Sequence, residues 1–135
     1  MAWMFDTNVL LDLVTRDPNW FTWSERQLRT AQSTGPIAVN PLIYAELAAA
    51  FETSADLDDW LRPPFFIKLP LPYEAAFAAS RAFLAYRRAA GRKTSPLPDF
   101  YIGAHAEHAG FTLVTRDAGR YRTYFPKIKL VTPGT

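Results

Sequence analysis

Four acidic residues of this sequence stand at positions where an ordinary surface role is hard to assign: Asp6, Glu46, Asp99 and Asp117. An ionised carboxylate is costly to bury unless a cation or hydrogen-bond donors meet it. Hard oxygen ligands select Mg²⁺ or Mn²⁺, and such ions activate water for hydrolysis. If the four acids converge, the sequence therefore predicts a site for divalent-metal chemistry.

Each acid also has a simpler explanation when it is taken alone. Asp99 and Asp117 stand at or near predicted helix starts, where a carboxylate caps the backbone or meets the positive end of the helix dipole, worth about 0.5–2 kcal/mol. The same explanation covers Asp6, which precedes the apolar run that starts at Val9. Glu46 lies in the apolar stretch PLIYAELAAAF. This stretch has no polar stripe at helical spacing, so Glu46 points inward unless it lies on a narrow exposed strip between alanines. Both interpretations stay open at this point.

The elements that must position these acids alternate between strand and helix. Short apolar runs predict strands at Ala2–Phe5, Ile37–Val39, Phe65–Leu69, Thr112–Val114 and Lys127–Val131. Helical patterns lie at Trp20–Ala31, Pro41–Phe51 with Asn40 as its cap, Ser54–Leu61, Tyr73–Ala89, Pro98–His108 and Ala118–Tyr124. This alternation predicts one α/β domain over residues 1–135, with a parallel sheet and helices on both faces.

The carboxyl ends of parallel strands share one edge of a sheet, which is where sites form in such folds. Asp6 follows the first predicted strand, Asp117 follows FTLVT, and Glu46 lies in the helix after IAV. Asp99 begins the helix that leads into FTLVT, and spacing alone does not establish that it reaches the same edge. By contrast, Asp12 is expected to be a solvated surface acid.

Composition limits the other chemistries. The 135 residues include no cysteine, which excludes disulfides and thiolate catalysis and fits a reducing, cytoplasmic location. No apolar run is long enough to span a membrane, and no basic leader precedes an apolar segment. The net charge is only +2, but residues 1–62 carry nine acids and four bases, whereas residues 63–135 carry four acids and eleven bases. A basic half favours a polyanionic partner, although a lopsided solvated surface explains it equally well.

Four segments resemble the successive motifs of PIN-domain nucleases, in order and over nearly the whole chain. They are FDTNVLLDL, NPLIYAEL with its inward glutamate, PDFYIGAHAEHAG and FTLVTRDAGRYRTYFPKIKLV. The similarity is greatest to the small single-domain toxins of VapBC-type toxin–antitoxin pairs. The resemblance implies a three-layer α/β/α PIN-like fold with a short parallel sheet.

The resemblance also implies an activity, namely that of a Mg²⁺- or Mn²⁺-dependent endoribonuclease, a hydrolase. Asp6 and Asp99 match the most direct metal ligands of the family, and Glu46 and Asp117 match the acids that complete the site. Asn8 and Thr115 match polar positions that hydrogen-bond and orient those carboxylates. The family further suggests a homodimer and a cognate antitoxin whose C-terminal segment covers the active site.

The expected reaction is in-line attack by metal-activated water on an RNA phosphodiester, which leaves a 5′-phosphate and a 3′-hydroxyl. Basic residues that would hold the RNA backbone are Arg87, Arg88, Arg92, Lys93, Arg116, Arg120 and Arg122. The segment Arg120–Pro126 matches a variant ending found in part of the family. Its rings, Tyr121, Tyr124 and Phe125, would stack on unpaired bases or pack in the core.

Three alternatives remain. His105 and His108 suggest metal-free acid–base cleavage of RNA through a cyclic phosphate, but no companion lysine is evident near them. An acid after the first strand is also found in phosphoryl-transfer proteins, which place a second acid where this chain has Phe5 or Asn8. The third alternative is a non-catalytic RNA- or protein-binding module with a PIN-like fold.

Overall fold

A five-stranded parallel sheet lies at the centre of the molecule. The computed structural model describes residues 2–90 and 97–134. The strands are β1 (Trp3–Phe5), β2 (Ile37–Val39), β3 (Phe66–Lys68), β4 (Thr112–Val114) and β5 (Lys129–Val131). Their spatial order is β3-β2-β1-β4-β5, and every neighbouring pair is parallel. The first strand is therefore the central one.

Seven helices flank the sheet within the described residues. They are α1 (Thr7–Thr15), α2 (Phe21–Gln32), α3 (Pro41–Ala48), α4 (Ser54–Trp60), α5 (Tyr73–Ala90), α6 (Leu97–Ala109) and α7 (Ala118–Tyr124). The predicted three-layer α/β/α arrangement is confirmed. Within the same residues, no helix combines the length and the apolar character that crossing a membrane requires.

The three inner strands are buried on both faces, which explains why their sequences lack polar alternation. All residues of β1, β2 and β4 are buried, whereas β3 and β5 at the sheet edges are partly exposed. The five predicted strands are all present, with up to two fewer residues at an end. The predicted Pro41–Phe51 helix is shorter than expected and ends at Ala48.

Helix α1 was not among the predicted helices. Its nine residues, TNVLLDLVT, include the consecutive apolar run VLL, and periodicity alone does not distinguish a short apolar run in a helix from a buried strand. The helix begins directly after Asp6, but the Asp6 side chain makes no capping hydrogen bond. The carboxylate of Asp6 is thus directed to other partners.

A buried polar contact joins the start of α3 to α6. Asn40 Oδ1 accepts a hydrogen bond from the Ile43 N–H at 2.9 Å, which caps α3. The amide group of Asn40 then faces Nδ1 of His105 at 3.1 Å. Because an amide nitrogen only donates, Nδ1 must accept, which fixes His105 as a neutral imidazole with its proton on Nε2.

This contact predicts a loss of stability in mild acid. Burial is the main cause that lowers the pKa of His105 below its ordinary 6.5, and the neighbouring His108 lowers it further. The unfolded chain takes up this proton as the pH falls through about 6.5, while the folded chain resists it, so the contribution of His105 to the free energy of unfolding should decrease from pH 7 to pH 5.5. Asp6, whose pKa in the folded chain is raised to about 6, acts in the opposite direction over the same range. Chemical denaturation at several pH values should therefore show that the wild type loses stability relative to His105→Gln as the pH falls.

The exposed His108 offers a matched control for this measurement. His108→Gln should keep most of this pH dependence, because desolvation lowers the pKa of His105 more than the charge of His108 does. Identical pH dependence in the wild type and His105→Gln would contradict the interpretation.

Helix α7 packs closely on α6 at a glycine. A Cβ atom added to Gly103 would lie 2.6 Å from the Phe125 ring and 2.9 Å from the Tyr121 ring. Both rings are fully or almost fully buried. The absent side chain at Gly103 therefore allows α7 to bring Tyr121 against the end of the sheet.

Gly103→Ala should lower the free energy of unfolding by about 1–3 kcal/mol, since the added methyl group overpacks this contact. Gly119→Ala is the matched control on α7, because its added Cβ would meet no atom within 4 Å. That control should be neutral or slightly stabilising, since alanine favours a helix more than glycine does. Equal melting temperatures for the two variants would show that the contact at Gly103 relaxes at no cost.

Candidate active site

The acids selected from the sequence lie around the carboxyl end of the central strand. Asp6 follows β1 directly and is only 7% exposed. Glu46 lies on α3 after β2 and is half-buried, whereas Asp117 follows β4 and is exposed. Asp99 occupies the first turn of α6. The topology thus places acids from four separate segments near one edge of the sheet.

The buried carboxylate of Asp6 receives two hydrogen bonds on the same oxygen. Thr115 Oγ1 donates to Asp6 Oδ2 at 2.8 Å, and the Tyr121 hydroxyl donates to it at 3.2 Å. Both donors come from the segment that follows β4, more than 100 positions along the chain. The neighbouring strand and helix therefore supply the partners that a buried carboxylate requires.

The protonation of Asp6 reflects this enclosed position. The pKa of Asp6 is raised from its ordinary 3.8 to about 6; burial is the main cause, and the charges of Asp99 and Glu46 contribute to the rise. The hydrogen bonds from Thr115 and Tyr121 act in the opposite direction and lower it. The carboxylates of Asp6, Asp99 and Glu46 are thus close enough for their charges to interact.

Glu46 is oriented by a residue that the sequence analysis did not select. Thr7 Oγ1 donates to Glu46 Oε1 at 2.7 Å. Asn8, which was predicted to orient the carboxylates, is exposed and makes no hydrogen bond to them in the described part of the chain. Thr7 and Asn8 are neighbours in the segment DTN. Which of the two points inward depends on the rotational position of helix α1, which was not predicted.

Asp99 and Asp117 share one arginine. Nη1 of Arg120 donates to Asp99 Oδ2 at 2.7 Å, and its Nη2 lies 3.3 Å from Asp117 Oδ2. Burial raises the pKa of Asp99, and the charge of Asp117 adds to this, while the charge and hydrogen bond of Arg120 lower it. The guanidinium therefore compensates part of the negative charge on this side of the site.

Thr115 connects the two halves of the acidic cluster. Besides donating to Asp6, its hydroxyl accepts a hydrogen bond from the backbone N–H of Asp117 at 3.0 Å. Asp117 occupies the cap position of α7, but its side chain makes no capping bond. One hydroxyl thus fixes the end of β4, the start of α7 and the carboxylate of Asp6 relative to one another.

Arg116 is held within the protein. Its Nη2 donates to Asp12 Oδ1 at 3.1 Å, and its guanidinium lies over the Trp20 ring at 4.9 Å from the centroid. Asp12 is 4% exposed and also accepts a hydrogen bond from the hydroxyl of the buried Ser24 at 2.9 Å. The expectation that Asp12 is a solvated surface acid was therefore wrong, and Arg116 ties the start of α7 to α1 and α2.

The other basic candidates are dispersed. Arg87, Arg88 and Arg122 are exposed, whereas Arg92 and Lys93 lie outside the described residues. Of the two alternatives for the rings of this segment, core packing is confirmed and base stacking is excluded for Tyr121 and Phe125, which are buried, while Tyr124 is partly exposed. Their burial follows from the close approach of α7 to Gly103.

The acids do not form a preassembled cage. Among residues 2–90 and 97–134, no three acidic, histidine or cysteine side chains are placed to hold one ion together. Two donors saturate one oxygen of Asp6, and Arg120 occupies Asp99 and Asp117. The cluster is nevertheless rich in carboxylate oxygens, the donor type that Mg²⁺ prefers.

The fold and the acids at its carboxyl edge define the class of protein: an α/β protein with a candidate active site built from carboxylates. The family model of the PIN domain matches residues 3–126, and the chain belongs to this family. No curated protein sequence matches the chain.

Solved structures with a similar fold come from several bacteria. VapBC2 of Rickettsia felis, bound to a DNA fragment from its promoter, is 18% identical with a TM-score of 0.71, and the match covers 98% of each chain. A toxin–antitoxin complex from Klebsiella pneumoniae is 22% identical with a TM-score of 0.65 and 97% coverage of each chain. The FitAcB structure of Neisseria gonorrhoeae is 21% identical with a TM-score of 0.62 and 98% coverage of each. At this identity the likeness shows a shared fold.

The hydrogen bonds of Thr115 predict a measurable contribution to stability. Thr115→Val leaves Asp6 without its shortest donor and the Asp117 N–H without an acceptor, so the free energy of unfolding should fall by about 1–3 kcal/mol at neutral pH in EDTA. Thr112→Val, on the strand that directly precedes Thr115, is the control because the Thr112 hydroxyl is not part of the acidic cluster. Denaturant titration of both variants tests this, and an equal effect would contradict the role assigned to Thr115.

Proposed function

We propose that this protein is a Mg²⁺- or Mn²⁺-dependent endoribonuclease, the toxin of a type II toxin–antitoxin pair. The observation that carries the proposal is the buried Asp6, whose pKa is raised to about 6 by burial and by the charges of Asp99 and Glu46. A cluster of repelling carboxylates at the edge of a parallel sheet destabilises the fold, and a bound cation would offset that cost. Membership of the PIN domain family supports nuclease activity as the function of such a site.

The chemistry of the acidic cluster fits a divalent cation. Asp6 and Asp99 would bind the ion directly, and Glu46 and Asp117 would complete the site directly or through water. Mg²⁺ usually keeps several waters and takes one or two protein carboxylates, so a preassembled cage is not required. When bound, the ion would supply a water of lowered pKa and compensate negative charge on the phosphate.

The residues of the chain have separate roles in this proposal. Thr115 and Tyr121 hold the Asp6 carboxylate in one orientation, and Thr7 does the same for Glu46. The exposed Asp117 leaves the cluster accessible to an RNA phosphate. Arg87, Arg88 and Arg122 stay candidates for backbone contacts, because their charges are exposed. Hydrolysis would add water across one P–O bond and leave a 5′-phosphate and a 3′-hydroxyl.

The proposed partners follow from the complexes of similar fold. The VapBC2 and Klebsiella pneumoniae structures are toxin–antitoxin assemblies, which supports a cognate antitoxin for this chain. A homodimer and a cytoplasmic location belong to the same proposal. Copurification with the product of an adjacent small reading frame would test the antitoxin directly.

The geometry disfavours the cleavage mechanism based on histidine. His105 is 2% exposed, and its Nδ1 faces the amide of Asn40, so the ring cannot reach a substrate. A measurement of RNA cleavage distinguishes the proposed nuclease from a non-catalytic binding module with the same fold.

Asp6→Asn and Asp99→Asn should each reduce cleavage of structured RNA in Mn²⁺ by at least about 100-fold, because each removes a charge that stabilises the transition state through the ion. Circular dichroism should show that both variants keep the fold. Asp59→Asn, which changes an exposed acid on α4, should cleave like the wild type.

Excess EDTA should abolish the activity, and mapping of the ends should find 5′-phosphates. Cleavage that survives EDTA and leaves cyclic phosphates, or full activity in both aspartate variants, would overturn the proposed mechanism. Absence of cleavage and of metal binding under all conditions would identify a binding module instead.

A further inference from the structure

The position of Arg120 has a consequence for how the acidic cluster accepts a metal ion. We propose that the Arg120 guanidinium is an internal counter-cation of the site, which holds Asp99 and Asp117 together without a divalent ion and opposes the binding of that ion. This inference rests on the proposed function, because it concerns the affinity of the same site for its metal.

The first support is the geometry of the guanidinium. Two different nitrogens of Arg120 reach two different carboxylates, at 2.7 Å from Asp99 Oδ2 and 3.3 Å from Asp117 Oδ2. The cation thus lies between the two acids, where an ion shared by them would also lie. A planar guanidinium suits this role, since its fork of donors matches carboxylate oxygens.

The second support is the partial burial of the contact. The side chains of Arg120 and Asp99 are 23% and 21% exposed. Solvent screens their attraction less than it would on an open surface, so the contact persists against competing water and salt. By contrast, the nearby Arg116 is paired with Asp12 on α1.

The third support is electrostatic. A divalent ion that bound the remaining oxygen of Asp99 would lie within a few ångströms of the Arg120 charge. Two cations on one carboxylate repel each other, whether or not they use the same oxygen. By linkage, a guanidinium that weakens metal binding is itself bound more weakly when the metal is present. Arg120 would then be available for the RNA phosphate contact that the sequence predicts for it.

The test measures metal affinity rather than activity. Isothermal titration of Mn²⁺ into the wild type and Arg120→Gln should give a Kd about tenfold lower for the variant, the change expected when one cationic charge next to the ion is removed. Arg122→Gln removes the same charge two residues away on α7, where the side chain is exposed. Its Kd should stay within about twofold of the wild type. Asp99→Asn should abolish binding in either background.

A second measurement follows the guanidinium itself. In wild-type protein with ¹⁵N-labelled arginine, the Arg120 side-chain signals, assigned by their loss in Arg120→Gln, should show restricted rotation without metal. Saturating Mg²⁺ should remove the restriction. Restricted rotation that persists at saturation would overturn the inference, because Arg120 would then keep its carboxylates while the ion is bound.

The outcomes separate this inference from the proposed function. Binding of Mn²⁺ that depends on Asp99, with an equal or weaker affinity in Arg120→Gln, would overturn the role of Arg120 and leave the metal site in place. Arg120 would then orient Asp99 instead of opposing the ion. Absence of Mn²⁺ binding in the wild type and in Arg120→Gln alike would overturn both. Binding by Arg120→Gln alone would support the inference in its strongest form.

Discussion

The mutual repulsion of carboxylates around the end of the central strand is the constraint on which the rest of this structure depends. Asp6 is buried there, and the charges of Asp99 and Glu46 raise its pKa further. The chain compensates with donors that lie close in space: Thr115 and Tyr121 for Asp6, Thr7 for Glu46 and Arg120 for Asp99 and Asp117. Three of these four donors come from α7 and from the segment that joins it to β4. This short part of the chain therefore supplies most of the donors that stabilise the acidic cluster.

The sequence was sufficient to predict the sheet and the approximate location of the acids. Strands without polar alternation indicated a sheet covered on both faces, and the position of Asp6 directly after such a strand indicated a polar edge. These are local signals, because they depend on residues that are neighbours in the chain. The extent of the single predicted domain and the catalytic roles of the acids stay predictions.

The contacts that hold the site together were not predictable in the same way. Thr115 and Tyr121 lie 109 and 115 positions from Asp6, and no local pattern identifies such a pair. The choice between Thr7 and Asn8 depended on the rotational position of helix α1, a nine-residue helix that was not predicted. The burial of Asp12 was also missed, because its partners Arg116 and Ser24 come from other parts of the chain.

The short connection between β4 and α7 has a consequence for how this site can diverge. Successive residues of an α-helix are rotated by about 100° around its axis. Because Arg120 and Tyr121 both face the acids, inserting or deleting one residue after Thr115 would turn both side chains away from the acids at once. The spacing between Thr115 and Tyr121 must therefore be inherited as a unit.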